Sequence, residues 1–160
     1  MKFELATVED TRAFGRRLAM LLRAGDLVIL DGPLGAGKTA LAQGIGAGLG
    51  VRGEVTSPTF VIARVHRPDS GRGGRIPLVH ADAYRLGSFA EVDDLDLDAS
   101  LDESVTVVEW GGGKVERLSA AYLRVRIERR DDDARLIELV GSGRGWPDRL
   151  AGFGAPLATG

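Results

Sequence analysis

The sequence contains no cysteine. Disulfides, thiolate metal sites and a cysteine nucleophile are therefore excluded. Lysine is scarce as well: Lys2, Lys38 and Lys114 stand against eighteen arginines. Long apolar runs are missing. Stretches such as "AMLL" and "LVIL" fall far short of the roughly 20 residues that span a bilayer. The opening "MKFELATVED" also lacks the apolar core of a signal peptide, so a cytoplasmic protein without membrane association is expected. There is no excess of basic charge. At a formal net charge of −2, the chain has no global cationic field of the kind that drives non-specific nucleic-acid binding. What remains is an ordinary soluble composition, 44% hydrophobic and 28% charged over 160 residues, enough for one core.

The pattern along the chain predicts an α/β fold. "FELA" reads as a short strand. Thr7 then offers an N-cap with Asp10 in the acidic slot of a capping box, and Phe14, Leu18, Leu21 and Leu22 recur at helical spacing, predicting a helix over 8–23 that Gly25 ends. "DLVILDG" reads as a buried strand. Residues 38–49 follow as a helix rich in glycine, a spacing that lets a helix sit close to a sheet. "TFVIARVHRP" alternates like a strand, "DSGRGGR" reads as a loop, and "IPLVHAD" and "SVTVVEW" are further buried strands. Between these two lies the acidic, partly helical "SFAEVDDLDLDASLDE". "YLRVRIERR" and "ARLIELV" alternate around "DDD" as a hairpin. The expected architecture is a P-loop NTPase-like three-layer α/β fold. Its central sheet is mostly parallel, with an antiparallel hairpin near the C-terminus. Residues 1–142 form the domain, and 143–160 a Gly/Pro-rich tail expected to be loosely ordered, with Trp146 and Phe153 available to dock.

One of the three lysines lies in "GPLGAGKT", residues 32–39. Gly32, Gly37, Lys38 and Thr39 satisfy G-x-x-x-x-G-K-[ST], after a strand and before a helix, as a P-loop requires. Residue frequencies give the bare pattern roughly a 0.5% chance of arising at random. Each residue type has a reason. Glycine lets backbone N–H groups converge on phosphate oxygens, and the helix adds positive charge at its N-terminus. Lys38 supplies a compact cation, worth about 5 kcal/mol against one charge at roughly 3 Å before desolvation. Arginine's planar fork suits so narrow a nest poorly. Thr39 offers a hydroxyl to Mg²⁺. Asp82 and Glu109 stand at the carboxyl ends of strands, where ligands gather in open α/β sheets. Either acid is placed to coordinate Mg²⁺ directly or through water, or to orient an attacking water.

In order, "GPLGAGKT", "VTSPTFVI", "HADAYRL" and "VEW" resemble the TsaE family, small bacterial P-loop ATPases of tRNA threonylcarbamoyladenosine modification. The match covers about residues 30–110, and the combination is far more specific than the P-loop alone. The resemblance implies an ATPase that docks on the TsaB–TsaD pair and drives or resets threonylcarbamoyl transfer to the adenosine beside the anticodon, with indirect or transient tRNA association. It implies ATP-phosphate binding by Leu34, Gly35, Ala36, Gly37, Lys38 and Thr39. It implies Mg²⁺ coordination by Thr39 and Glu109, with Asp82 as a second metal-side acid. Ser57 and Thr59 fall on a switch-like segment and Trp110 on the family's tryptophan near the nucleotide. Thr11 and Arg135 lie near where the outer segments approach it. The chain departs from the family at Pro33, where aspartate is usual, and it lacks a glycine the family often has after "YRL". Phosphate binding needs no N–H at that early loop position.

Lys38, Asp82 and Glu109 are thus the expected catalytic groups. Slow turnover is expected without a partner, since the P-loop region shows no arginine finger. Two alternatives remain in play: a small-molecule kinase with "HRPDSGRGGR" as an arginine-bearing lid, and a nucleotide-gated binding module. His80 is expected to be a packed or capping residue and His66 a surface residue. Tyr84 and Arg85 suit a partner surface or support of the switch region equally. "VDDLDLD" is expected to be a solvated helix face. Arg124, Arg126, Arg129 and Arg130 are expected on a solvated hairpin rather than a tRNA-facing strip.

Overall fold

The structure, a computed structural model, describes residues 1–33, 37–52, 63–82, 103–109, 121–130, 134–143 and 145–153. Among these, seven strands form one sheet: β1 (Lys2–Leu5), β2 (Leu27–Asp31), β3 (Ala63–His66), β4 (Leu78–Asp82), β5 (Val105–Glu109), β6 (Tyr122–Arg129) and β7 (Arg135–Ser142). Their spatial order is β1-β7-β6-β2-β5-β4-β3. The central strands β6, β2, β5 and β4 run parallel. The edges are antiparallel: β6–β7 and β7–β1 on one side, β3–β4 on the other. The expected mostly parallel centre and C-terminal hairpin are both present. The antiparallel pairing of β3 was not foreseen, because strand direction leaves no trace in a short alternating segment.

Three helices are described: α1 (Val8–Ala19), α2 (Lys38–Leu49) and α3 (Trp146–Ala151). None is long and apolar enough to cross a membrane. The capping box starts α1 as expected. Thr7 Oγ1 accepts from Asp10 N at 3.1 Å, and Asp10 Oδ2 accepts from Thr7 N at 3.2 Å. The helix stops four residues before the expected end. Leu21 N and Leu22 N reach back three residues, to Leu18 O and Ala19 O, so the last turn tightens toward 3₁₀ geometry. Asp26 then accepts from Arg23 N at 2.7 Å and closes the turn into β2.

α1 and α2 share one apolar cluster with one face of the sheet, including Phe14, Leu18, Leu41, Ile45, Val28, Leu30, Val107 and Val125. Leu27, Ile29, Val79, Ala81 and Val108 are buried outside that cluster. Strand alternation puts them on the opposite face, so the centre of the sheet is covered on both sides. Gly44 and Gly48 of α2 face α1 rather than the sheet that the glycine spacing suggested. A Cβ on Gly44 would stand 2.1 Å from Arg12 O, and one on Gly48 2.7 Å from Arg16 O; on α1, Gly15 makes the reciprocal approach to Leu41 O at 2.5 Å. Glycine is needed where two helix backbones nearly touch.

The first half of the expected loose tail is ordered by the two aromatics that were candidates for docking. Trp146 and Phe153 are buried. Phe153 meets Phe3 and Phe14 edge-on at centroid distances of 5.6 and 5.5 Å, contacts each worth about 0.5–1.5 kcal/mol beyond burial. Arg149 reaches Asp26 Oδ1 at 2.9 Å and stacks over Trp146. Residues 154–160 and the acidic segment before Glu103 lie outside the described residues.

Gly44→Ala tests the helix contact. On propensity alone alanine stabilises a helix by about 1 kcal/mol. The overpacking at Arg12 O is expected to outweigh that by about 2 kcal/mol and to lower the thermal midpoint by roughly 5 °C. A raised midpoint in a thermal melt would contradict the close approach.

Candidate nucleotide site

The site is built where β2 ends. Its apolar run leads into Gly32 and Pro33, and the chain re-enters the described residues at Gly37, the N-cap of α2, at φ 111° and ψ 17°. That left-handed conformation is one that side-chain-bearing residues rarely adopt. Unlike α1, α2 begins with no capping side chain and no acidic residue in its first turn. The N–H groups at a helix start have no partner within the helix and carry partial positive charge.

Two cations stand at this already positive end. Lys38 is 5% exposed. Its Nζ donates to Gly32 O at 2.6 Å and Pro33 O at 3.1 Å, so the ammonium closes the loop on itself. Pro33 therefore contributes a carbonyl to the lysine, and its missing N–H takes nothing from this arrangement. Arg135, at the start of β7, is also buried, and its Nε lies 3.5 Å from where a Cβ on Gly37 would be. Thr11 of α1 approaches the same point, with Cγ2 at 3.9 Å, and its hydroxyl donates to Thr7 O at 3.3 Å. Thr39 is half-buried in the first turn of α2. The structure thus brings Thr11, Gly37, Lys38 and Arg135 together around one helix start. Arg135 is a cation from outside the P-loop segment, which inspection of that segment alone could not find.

The acids arrive from the neighbouring parallel strands. Glu109 ends β5 opposite Leu30 of β2, and Asp82 ends β4 opposite Glu109. Glu109 is 5% exposed, and its Oε2 lies 2.5 Å from Nε2 of the fully buried His80. The side chain of Asp82 lies outside the described residues, as do Leu34, Gly35, Ala36, Ser57, Thr59, Tyr84, Arg85 and Trp110.

The family model for the threonylcarbamoyl adenosine biosynthesis protein TsaE matches residues 5–137. The chain belongs to the TsaE family. Among curated TsaE proteins, that of Streptomyces coelicolor is 61% identical over 84% of this chain and 93% of its own length. That of Mycobacterium tuberculosis is 53% identical over 78% and 77%, and that of Bacillus subtilis 35% identical over 89% and 87%. A crystal structure of Bacillus subtilis YdiB superposes with a TM-score of 0.77 at 30% identity, covering 96% of this chain and 93% of that one. The α/β fold with a mostly parallel central sheet is thus shared with a solved structure.

One histidine reading changes and the other gains a partner. His66 is buried at 8% exposure rather than at the surface. It pairs in register with Leu78 and so shares the face that carries the main core. His80 is packed, as expected, but its contact is with Glu109. The signal for it was present in "HAD", which puts His80 two residues before Asp82 on the same strand face. Among the hairpin arginines, Arg126 lies 3.9 Å from Asp31 and Arg130 3.3 Å from Glu4. Acidic neighbours thus offset these charges, as a solvated hairpin has them.

Substitution tests each cation separately. Lys38→Ala is expected to weaken binding of an ATP analogue by about 100-fold, or ~2.7 kcal/mol, and Arg135→Ala by about tenfold. Titration calorimetry measures both, and unchanged affinity in Lys38→Ala would contradict phosphate binding at this helix start.

Proposed function

We propose that this chain is a Mg²⁺-dependent P-loop ATPase. In this reading it supports threonylcarbamoyl transfer to the tRNA adenosine beside the anticodon, binding a TsaB–TsaD pair and driving or resetting its cycle. The observation that carries the ATP reading is the start of α2: a glycine N-cap, no acid in the first turn, and Lys38 and Arg135 beside it. Such a concentration of positive charge favours a polyanion. Family membership supplies the tRNA-modification context, and the partner pair follows from the same resemblance.

The donor chemistry fits Mg²⁺, which takes oxygen ligands and is commonly shared between one or two carboxylates and substrate phosphates. Thr39 supplies a hydroxyl and Glu109 a buried carboxylate. Among the described residues no three His, Asp or Glu side chains converge into an all-protein cage, and a phosphate-sharing ion needs none. When bound, the ion neutralises charge on the β- and γ-phosphates. Lys38 exchanges its carbonyl acceptors for phosphate oxygens. The N–H groups of the first turn of α2 hold the phosphate chain. Water attacks the γ-phosphorus, the bond to the ADP oxygen breaks, and the proton leaves the attacking water toward the carboxylate side of the site. Asp82, in register with Glu109 at the end of β4, would assist the metal or that water. Arg135 brings a guanidinium in cis, and a partner completes the site for full turnover.

The kinase alternative rested on residues 66–75 as a lid. That loop is tied to the other end of α2: Asp69 N donates to Gly50 O at 2.8 Å and Arg52 N to Arg67 O at 2.7 Å. A 12-residue helix is about 18 Å long, so the loop's anchor stands a helix length from the P-loop.

Two measurements test the proposal. Glu109→Ala is expected to lower phosphate release from ATP on the order of 100-fold while ATP-analogue affinity stays within a few-fold. A wild-type rate in that variant would remove Glu109 from the chemistry. Pull-down with purified TsaB and TsaD is expected to be ATP-dependent, and no complex with or without ATP would contradict the partner reading.

A further inference from the structure

We infer that His80 is a positioning residue for Glu109, fixing one carboxylate oxygen through Nε2 so that the other is aimed at the phosphate side. This rests on the ATPase reading of the site. In register, His80 lies opposite Val107 and Asp82 opposite Glu109, so His80 and Glu109 are diagonal neighbours on one face of β4 and β5, a relation within reach of long side chains. Both side chains are removed from water, at 0% and 6% exposure, and Nε2 stands 2.5 Å from Oε2.

The proton on the ring follows from its surroundings. Nδ1 makes no hydrogen bond to any described residue. A neutral imidazole carries one N–H. On Nδ1 it would be wasted, and a lone pair on Nε2 would face a carboxylate lone pair at 2.5 Å. On Nε2 it makes a charge-assisted hydrogen bond to a buried oxygen. Of the two neutral forms, the Nε2–H tautomer is therefore the one this contact selects, donating to Oε2.

The bond constrains Glu109 where the site needs constraint. A glutamate has three rotatable side-chain bonds, and a carboxylate acting at a metal or a water must be held to a fraction of an ångström. Outer groups that hold a ligand in this way typically alter metal affinity or activity 10–100-fold when removed. The contact uses Oε2 alone, and it sits at the carboxyl ends of parallel strands beside the one that feeds the P-loop.

Three substitutions, two of them also combined in a double variant, and one spectrum test the inference. His80→Gln places an amide N–H near the position of Nε2, whereas His80→Leu has similar bulk and no donor. In His80→Leu the Mg²⁺ concentration for half-maximal ATP hydrolysis is expected to rise, or kcat to fall, by 10–100-fold. Metal-free binding of an ATP analogue should stay within about twofold. His80→Gln is expected to recover most of the loss, with thermal melts reporting that both variants fold. Adding His80→Leu to Glu109→Gln is expected to cost little more than Glu109→Gln alone. Long-range ¹H–¹⁵N spectra of the nucleotide-free, metal-free protein are expected to show the Nε2–H tautomer for one of two histidines, the one lost in His80→Gln. Wild-type Mg²⁺ dependence in His80→Leu would overturn the inference. So would equal damage in the Gln and Leu variants, or an Nδ1–H tautomer. A wild-type protein that binds no nucleotide would instead overturn the ATPase reading, and the tautomer would then judge the His80–Glu109 contact by itself.

Discussion

Like charges gathered at one point need a reason, and the start of α2 is where this molecule gathers them. The helix terminus is positive by construction, and Lys38 and Arg135 are buried beside it. Among the described residues, Lys38 donates to the carbonyls of Gly32 and Pro33, two acceptors that carry no formal charge. The rest of the fold depends on supporting that point. β2 delivers the loop, α1 delivers Thr11, and the edge strand β7 delivers Arg135. The helix–helix contact through Gly15, Gly44 and Gly48 sets how closely α1 can approach. A helix pair one side chain further apart would carry Thr11 away from Gly37.

The acids answer the same charge from the other side. Glu109 is buried one strand from the loop, and an ionised carboxylate removed from water needs hydrogen bonds to persist there. His80 supplies one without adding a formal charge when neutral. The site thus divides into a cationic half on α2 and β7 and an anionic half on β5. A Mg²⁺-bound triphosphate, which carries charge of both signs, matches that division.

The P-loop was legible in the sequence because its constraints are local: glycine for conformation, lysine for charge, and a strand before and a helix after. The central strands were legible for a similar reason, since burial on both faces leaves continuous apolar runs such as "LVIL" and "VTVV". Contacts between distant segments were hidden. The glycines of α2 advertised a close approach but not its partner, because periodicity reports which face is small and not what lies against it. His66 looked like a surface residue until the register of β3 against β4 put it opposite Leu78. Trp146 and Phe153 carried the signal that part of the tail docks, but the glycines around them carried the opposite one. Burial of the two rings outweighed it.

In the proposed function, the charge at the start of α2 is there for a triphosphate. A crystal structure of the full chain with Mg²⁺ and a non-hydrolysable ATP analogue tests it most directly. The β- and γ-phosphates are expected on the N–H groups of the first turn of α2. Lys38 Nζ should have left Gly32 O and Pro33 O for phosphate oxygens, with the Arg135 guanidinium within reach of the phosphate chain. A nucleotide bound elsewhere on the fold, with Lys38 still donating to Gly32 and Pro33, would contradict it.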